Sequence, residues 1–192
     1  NGIYVPRFRN VTSKHAAFVR GYGFQGGAAR SEWEGSHLAP GIGASFKERL
    51  TSLGPWRMGF NGFGETLPRE NNRATLHPTL KDKWGIPSLH IECQWSENEL
   101  AIHRDMNITA AELLEAAGAK NIQPVTRGPS TPGNTNHEMG TARMGRDPKT
   151  SVLNGHNQAW EAPNLFITDG ACMTSSSCQN PSLTYMALTA RA

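Results

Sequence analysis

Residues 88–118 read SLHIECQWSENELAIHRDMNITAAELLEAAG and hold, in order, a strand, a helix start and a helix stop. Pro87 to Trp95 has strand length and partial apolar alternation. Ser96 is followed three residues later by Glu99, the spacing at which each side chain satisfies an N–H that the first helical turn leaves orphaned. A helix is therefore expected from Glu97. Leu100, Met106, Ala110, Leu113, Leu114 and Ala117 keep near-3.6 spacing, and Gly118 supplies the left-handed residue that commonly ends a helix. A strand that feeds a capped amphipathic helix, with no βαβ rhythm around it, predicts an α+β fold.

Working outward, Asn72 to Leu80 is a second strand, joined to the first by the turn-like KDKWGIP. The first sixty residues are glycine-rich and read as loop-heavy, with strand-like pieces at GIYVP and HAAFVRGYGF. Beyond the helix, IQPVT is a short extended candidate, and RGPSTPGNTNHEMGTARMG is a long loop without apolar period. Long loops in compact domains are often functional. PNLFITDG then reads as a buried strand entering a turn, and NPSLTYMALTARA as a helix. Asn180 is expected to cap that helix, with Pro181 in the first position, where a missing N–H costs nothing. Leu183, Met186, Ala187 and Ala190 form its apolar face. No C-cap signal precedes Ala192, so this helix is read as cut. The expected architecture is a mostly antiparallel sheet with helix 97–117 packed on one face, closed by a C-terminal strand and helix.

Composition narrows the function classes. Nineteen Lys and Arg against sixteen Asp and Glu leave +3 over 192 residues, too little to argue for a nucleic-acid or anionic-membrane partner. Apolar runs such as Ala16–Val19 are far short of the ~20 residues a membrane helix needs. Cys93, Cys172 and Cys178 are odd in number and lack CxxC spacing, so neither a disulfide framework nor a zinc site is expected, and the compartment stays open. Arg7, Arg9, Lys14, Arg20 and Arg30 stand in an acid-free opening stretch, which suits either docking on an acidic neighbour or ordinary solvated charge. Asn1 stands where an initiator Met would, and the expectation is a mature or excised piece.

Gly21, Gly23 and Gly26 satisfy GxGxxG, but the following GAARSEWEGSHLAPGIG has no helical period, so a strand is expected here and not a phosphate cradle. The seven histidines, at 15, 37, 77, 90, 103, 137 and 156, include no i, i+4 pair, and no metal site is expected. His137 differs from the rest. It lies in the glycine-punctuated NHEMGTARMG, where a loop presents an imidazole able to act as a general base near neutral pH. Asn180 opens the last helix, whose N–H groups and dipole favour negative charge.

The runs NHEMGTARMG, NLFITDGACM and SSSCQNPSLTYMALTARA, in this order and spacing, resemble the C-terminal region of the glucose-methanol-choline oxidoreductases. ETLPRENNRATLHPTLKDKWGIPSLHI is similar to that family's substrate-domain strands, so the resemblance spans roughly Glu65 to Ala192. It is most similar to the bacterial branch that holds gluconate, glucoside and related sugar dehydrogenases. The resemblance implies FAD as cofactor and oxidation of a CH–OH group of a sugar or other alcohol by hydride transfer to flavin N5. His137 would be the base and Asn180 its partner, where many relatives carry a second His. Asp169 and Gly170 would lie against the ribityl and pyrophosphate of FAD. Pro181 and Thr184 would lie in the helical turn that faces the flavin.

The family's own GxGxxG unit is N-terminal, in a Rossmann-type FAD domain that these 192 residues do not contain. The implied organisation is a substrate-binding domain over 1–149 and a strand-turn-helix segment over 150–192 that completes an FAD domain elsewhere in the same polypeptide. That N-terminal FAD-binding domain is the expected partner, and this chain alone is expected to be catalytically incomplete. The alternatives are a split subunit docking on a separate FAD-binding chain, and a stand-alone substrate-binding module without catalysis.

Overall fold

A computed structural model describes residues 2–30, 41–51, 53–125, 128–134 and 136–192. His37, Thr126 of IQPVT and Arg127 and Thr135 of the long loop lie outside the described residues.

The opening third is a sheet where the sequence suggests short strand-like pieces among loops. β1 (Gly2–Val5), β2 (Tyr22–Arg30) and β3 (Trp56–Gly64) form a three-stranded antiparallel sheet in that order, and helix α1 (Gly43–Thr51) lies between β2 and β3 in the chain. Only the last three residues of HAAFVRGYGF enter β2. Glycine is a poor strand former in general, yet here it makes room. A Cβ on Gly62 would stand 2.6 Å from Met106 Sδ, and one on Gly64 2.9 Å from Ile102 Cγ2. A Cβ on Gly26 would collide with the Gly59 carbonyl oxygen. The GxGxxG glycines Gly23 and Gly26 therefore belong to a strand.

β4 (Arg73–Lys81) and β5 (Pro87–Glu92) form a separate antiparallel hairpin with a register irregularity between Leu76 and Lys81. Its turn has Gly85 at φ +84° and Asp82 Oδ1 accepting from the N–H groups of Trp84 and Ile86. Helix α2 (Glu97–Ala116) begins where Ser96 predicts. Glu99 accepts from the Ser96 backbone N–H at 2.7 Å and from its hydroxyl at 2.6 Å. Gly118, at φ +81°, follows the C-cap Ala117.

α2 lies on the three-stranded sheet, and the first core is Phe18, Tyr22, Phe24 and Ile102 with Met106, Ala110 and Leu113 against it. The stripe that α2 buries includes Glu99, Ile102 and Thr109, so two of its buried positions are polar. Their partners explain this. The Tyr22 hydroxyl bonds Thr109 Oγ1 at 3.0 Å and also Asp105, and Arg9 Nε reaches Asp105 at 2.9 Å. Arg20 sits 3.4 Å from Glu65. Two cations of the basic opening stretch, Arg9 and Arg20, are thus matched by acids of this same chain.

A second core gathers Leu153, Ala159 and Cys172, with Met144, Ile167, Met173 and Leu188 packed on it. PNLFITDG is no buried strand. Only Phe166 makes a bridge, to Gln158, and Leu165 and Phe166 are 50% and 43% exposed. Its backbone is held by 157–159 instead: Ala159 N–H donates to Leu165 O at 2.9 Å and Ile167 N–H to Asn157 O at 3.0 Å. Ile122–Val125 likewise form no strand.

Helix α3 (Ser182–Arg191) follows a 3-10 turn at Gly170–Cys172, and its cap is Pro181 where Asn180 was expected. The anticipated apolar face points outward, with Leu183 80% and Met186 62% exposed. Tyr185, Leu188 and Thr189 face the protein instead. The fold class is α+β with antiparallel sheets and few helices.

Candidate active-site cleft

The long loop after α2 finds its place by pairing with the 3-10 turn. N–H groups of Gly140, Ala142 and Met144 donate to the carbonyls of Gly170, Ala171 and Cys172 at 3.4, 3.1 and 2.9 Å. Gly140 needs its φ of +85° to start this run, where an L side chain is strained. α3 is fastened to the same turn from the other side. Thr189 Oγ1 donates to Thr168 O at 2.9 Å, and the Arg191 guanidinium reaches the Gly155 carbonyl.

Between these segments lies a cleft of about 350 Å³, lined by His137, Met139, Asp169, Gly170, Pro181 and Tyr185 among others. Four of the six residues that the sequence singles out therefore meet: His137, Asp169, Gly170 and Pro181. Asn180 is exposed one residue before the buried Pro181 and does not itself line the cleft. Thr184 is also exposed and outside the lining, with its N–H on the Pro181 carbonyl at 3.0 Å.

The cleft offers mostly uncharged donors and acceptors. Asp169 Oδ1 accepts from the Ala171 N–H at 2.9 Å and so caps the 3-10 turn. The Ser182 and Tyr185 hydroxyls pair at 2.8 Å on the first turn of α3. The Ser182 and Leu183 N–H groups that open α3 have no intrahelical acceptor and carry the positive end of the helix dipole, which suits an electron-rich group at this end of the cleft. A Cβ on Gly170 would stand 2.5 Å from Met139 Sδ, so this glycine lets Met139 close against the turn. Sequence reading does not single out Met139, Ser182 or Tyr185. The i, i+3 spacing of Ser182 and Tyr185 is the one signal available for that pair.

The loop that delivers Asn180 is anchored on the other core. Cys178 is buried and its Sγ lies 3.1 Å from where a Cβ on Gly23 would be. The Ser176 N–H donates to Glu65, whose carboxyl burial pushes upward while Arg20 and Arg7 draw it back. Burial also pushes the Cys172 thiol up, which keeps it unreactive beneath the cleft. Among the described residues no three His, Cys, Asp or Glu side chains are grouped to hold a metal ion, and no helix is long and apolar enough to cross a membrane.

Residues 68–189 match a family described as GMC oxidoreductase, by its C-terminal domain. The chain is 36% identical to the 2-methyl-1,2-propanediol dehydrogenase of Mycolicibacterium austroafricanum, over 94% of this chain and 33% of that protein. It is 28% identical to the gluconate 2-dehydrogenase flavoprotein of Pantoea cypripedii, over 78% of this chain and 25% of that one. It is 34% identical to the fructose dehydrogenase large subunit of Gluconobacter japonicus, over 67% of this chain and 23% of that one. The chain thus spans a third or less of the length of these relatives.

Proposed function

The chain belongs to the GMC oxidoreductases, and from that premise we propose that it is the substrate-side and C-terminal part of an FAD-dependent enzyme oxidising a CH–OH group of a sugar or other alcohol. Enzymes of this family are flavoproteins, with FAD the usual cofactor. The observation that carries the reading is the convergence of His137, Asp169–Gly170 and Pro181 on one cleft from three separate segments.

The cleft fits one edge of such a cofactor. Its donors are the Ser182 and Leu183 N–H groups that open α3, and Gly170 lets Met139 close against the turn beside them. Asp169, Gly170, Pro181 and Thr184 are the residues assigned to hold it. When bound, FAD supplies the acceptor for the hydride that leaves the carbinol carbon. An unprotonated ring nitrogen of His137 takes the hydroxyl proton, and the negative charge left on oxygen makes the neighbouring C–H the better hydride donor. Asn180, exposed one residue before the Pro181 that lines the cleft, is the proposed partner whose amide would donate to that same oxygen and orient it. General-base assistance of this kind contributes roughly 10²- to 10⁴-fold.

The rest of the cofactor would be held by an FAD-binding part of the same polypeptide. Leu183 and Met186 on α3, and Leu76, Leu89 and Ile91 on one face of the β4–β5 hairpin, are more than half exposed and suit burial against such a part.

The test is anaerobic single-turnover flavin reduction in the flavoenzyme that carries this chain. His137→Ala should slow it at neutral pH and recover in part at alkaline pH, where substrate alkoxide replaces the missing base. A His137→Ala rate equal to the parent's would remove the assignment.

A further inference from the structure

The loop that carries Asn180 is held by a residue at the end of the sheet that the cleft chemistry does not use. Between Met173 and α3, residues 174–180 belong to no helix or strand, and among the described residues no backbone–backbone hydrogen bond ties them down. Asn180 is exposed, and no hydrogen bond to the described residues fixes its amide. The position of that amide is therefore set by whatever holds the loop.

Two contacts hold it, both with the three-stranded sheet. Cys178 sits on Gly23 of β2, its Sγ 3.1 Å from where a Cβ would be. Two residues earlier, the Ser176 N–H donates to the Glu65 carboxylate. Glu65 directly follows Gly64, the last residue of β3, which is pressed against Ile102 of the first core. The Glu65 side chain is only 11% exposed, and Arg20 Nε lies 3.4 Å from its Oε2. Arg7 adds a second positive charge nearby. The other carboxylate oxygen, Oε1, is buried without a hydrogen-bond partner. Burying a carboxylate and orphaning one of its oxygens is costly, so this ion is a poor filler for the space between sheet and loop. What it supplies that an apolar side chain cannot is an acceptor for a backbone N–H of the loop.

We propose that Glu65 is a positioning residue for the oxidation: clamped by Arg20 at the end of β3, its carboxylate fixes the Ser176 backbone and so sets where Asn180 stands relative to His137. Cys178 alone leaves the loop free to pivot about one point. Ser176 supplies a second, and two points set the direction in which the chain runs on to Asn180. His137 is mounted separately, on the run that the Gly140 N–H ties to the Gly170 carbonyl, so losing Glu65 displaces one member of the pair and not the other. The inference rests on the proposed function above, because it needs Asn180 to meet the alcohol oxygen.

The experiment is a double-mutant cycle on anaerobic flavin reduction in the flavoenzyme that carries this chain, with amide hydrogen exchange as a readout free of turnover. Glu65→Ala should slow the limiting reduction rate roughly tenfold or more, since ångström-scale misplacement of a group at the reacting centre can cost up to ~10²-fold. In an Asn180→Ala background the same change should have almost no effect, because the group that it misplaces is gone. Glu65→Gln keeps an acceptor of the same reach and should recover most of the rate, whereas Glu65→Asp, one methylene shorter, should not. Arg20→Gly removes the clamp at a φ of +69° that suits glycine, so it should fold as the parent does and slow reduction by a smaller factor, again only while Asn180 is present. Exchange should rise across 174–180 in Glu65→Ala and Arg20→Gly, and stay at the parent level in α2. A loss from Glu65→Ala that is equal with and without Asn180, or loop exchange that does not rise, overturns the proposal. An Asn180→Ala variant that reduces flavin at the parent rate defeats the role of Asn180 in the proposed function and takes this inference with it, a failure recognisable without any change at Glu65.

Discussion

Cys178 rests on the bare α-carbon of Gly23, so the loop entering α3 is seated on the central strand of the sheet. A methyl at position 23 would stand 2.9 Å from the Val5 carbonyl oxygen and 3.1 Å from Cys178 Sγ. The sulfur can shift by moving its loop, but the carbonyl belongs to β1 and moves only with the sheet. Gly23→Ala should therefore cost ~1–3 kcal/mol, the usual range for overpacking a filled site. Urea denaturation measures it. Adding Cys178→Ala should restore only part, since the Val5 contact remains. A single variant within ~0.5 kcal/mol of the parent would show that the loop is not seated there.

Glu99 sets an acid limit on stability. Burial opposes its ionisation, yet donations from the Ser96 hydroxyl and backbone, the Leu67 N–H and Asn98 outweigh this and hold the carboxyl below the usual range. A carboxyl depressed on folding contributes stability that is present above its unfolded pKa and lost as pH falls through the folded one. Thermal melts should therefore show a stability loss that begins below about pH 4.5 and is smaller in Glu99→Gln. At neutral pH the same variant should be ~1–3 kcal/mol less stable, because it weakens charge-assisted bonds at the helix start. An acid limb of equal depth in both proteins would place the acid sensitivity elsewhere.

Tyr22 governs the alkaline side. Burial raises its phenol first and the Asp105 hydrogen bond raises it further, against smaller opposing effects of Thr109 and Arg9. Stability linked to a raised group is present below its unfolded pKa and lost as pH rises through the folded one. Tyr22 should ionise only above the ordinary phenol range in an ultraviolet pH titration, and its ionisation should accompany unfolding. Tyr22→Phe should cost about 1–2 kcal/mol at neutral pH and flatten the alkaline limb. A phenol at position 22 that titrates within the ordinary phenol range while the protein stays folded would contradict the network.

What was legible in the sequence divides along physical lines. α2 could be read because its signals are local: Ser96 and Glu99 at one end, Gly118 at the other. The β4–β5 hairpin could be read because its turn carries Asp82 and Gly85. β2 could be read in part, as the strand expected at the Gly21–Gly26 glycines, but β3 could not, since WRMGFNGFG looks like a loop until the side chains that occupy its glycines are in place. The Arg9–Asp105 pair spans 96 residues, and a single sequence holds no trace of it. In the cleft, His137, Asp169, Gly170 and Pro181 stand in motif-like runs, so their segments were visible through the resemblance. Met139 was not, because its contribution is a contact with an atom that Gly170 lacks.

That contact yields the last prediction. Gly170 is buried and a Cβ there would stand 2.5 Å from Met139 Sδ and 2.7 Å from its Cε. Both are the far end of a flexible side chain, so Gly170→Ala should fold, with Met139 displaced and a stability cost of ~1–3 kcal/mol or less. Met139 is two residues from His137, in the run that the Gly140 N–H ties to the Gly170 carbonyl. Its displacement should move the imidazole relative to the α3 N-terminus, and an ångström-scale misplacement of a reacting group can cost up to ~10²-fold in rate. Flavin reduction in Gly170→Ala should accordingly slow while the protein still melts cooperatively. Met139→Ala removes the atoms that the new methyl strikes, so the double variant should recover most of the lost rate although each single change is harmful. Measuring all four corners of that cycle separates the steric route from a direct loss at position 170. If the double variant is as slow as Gly170→Ala, the glycine is needed for something that approaches its backbone from within the cleft, and Met139 is a bystander.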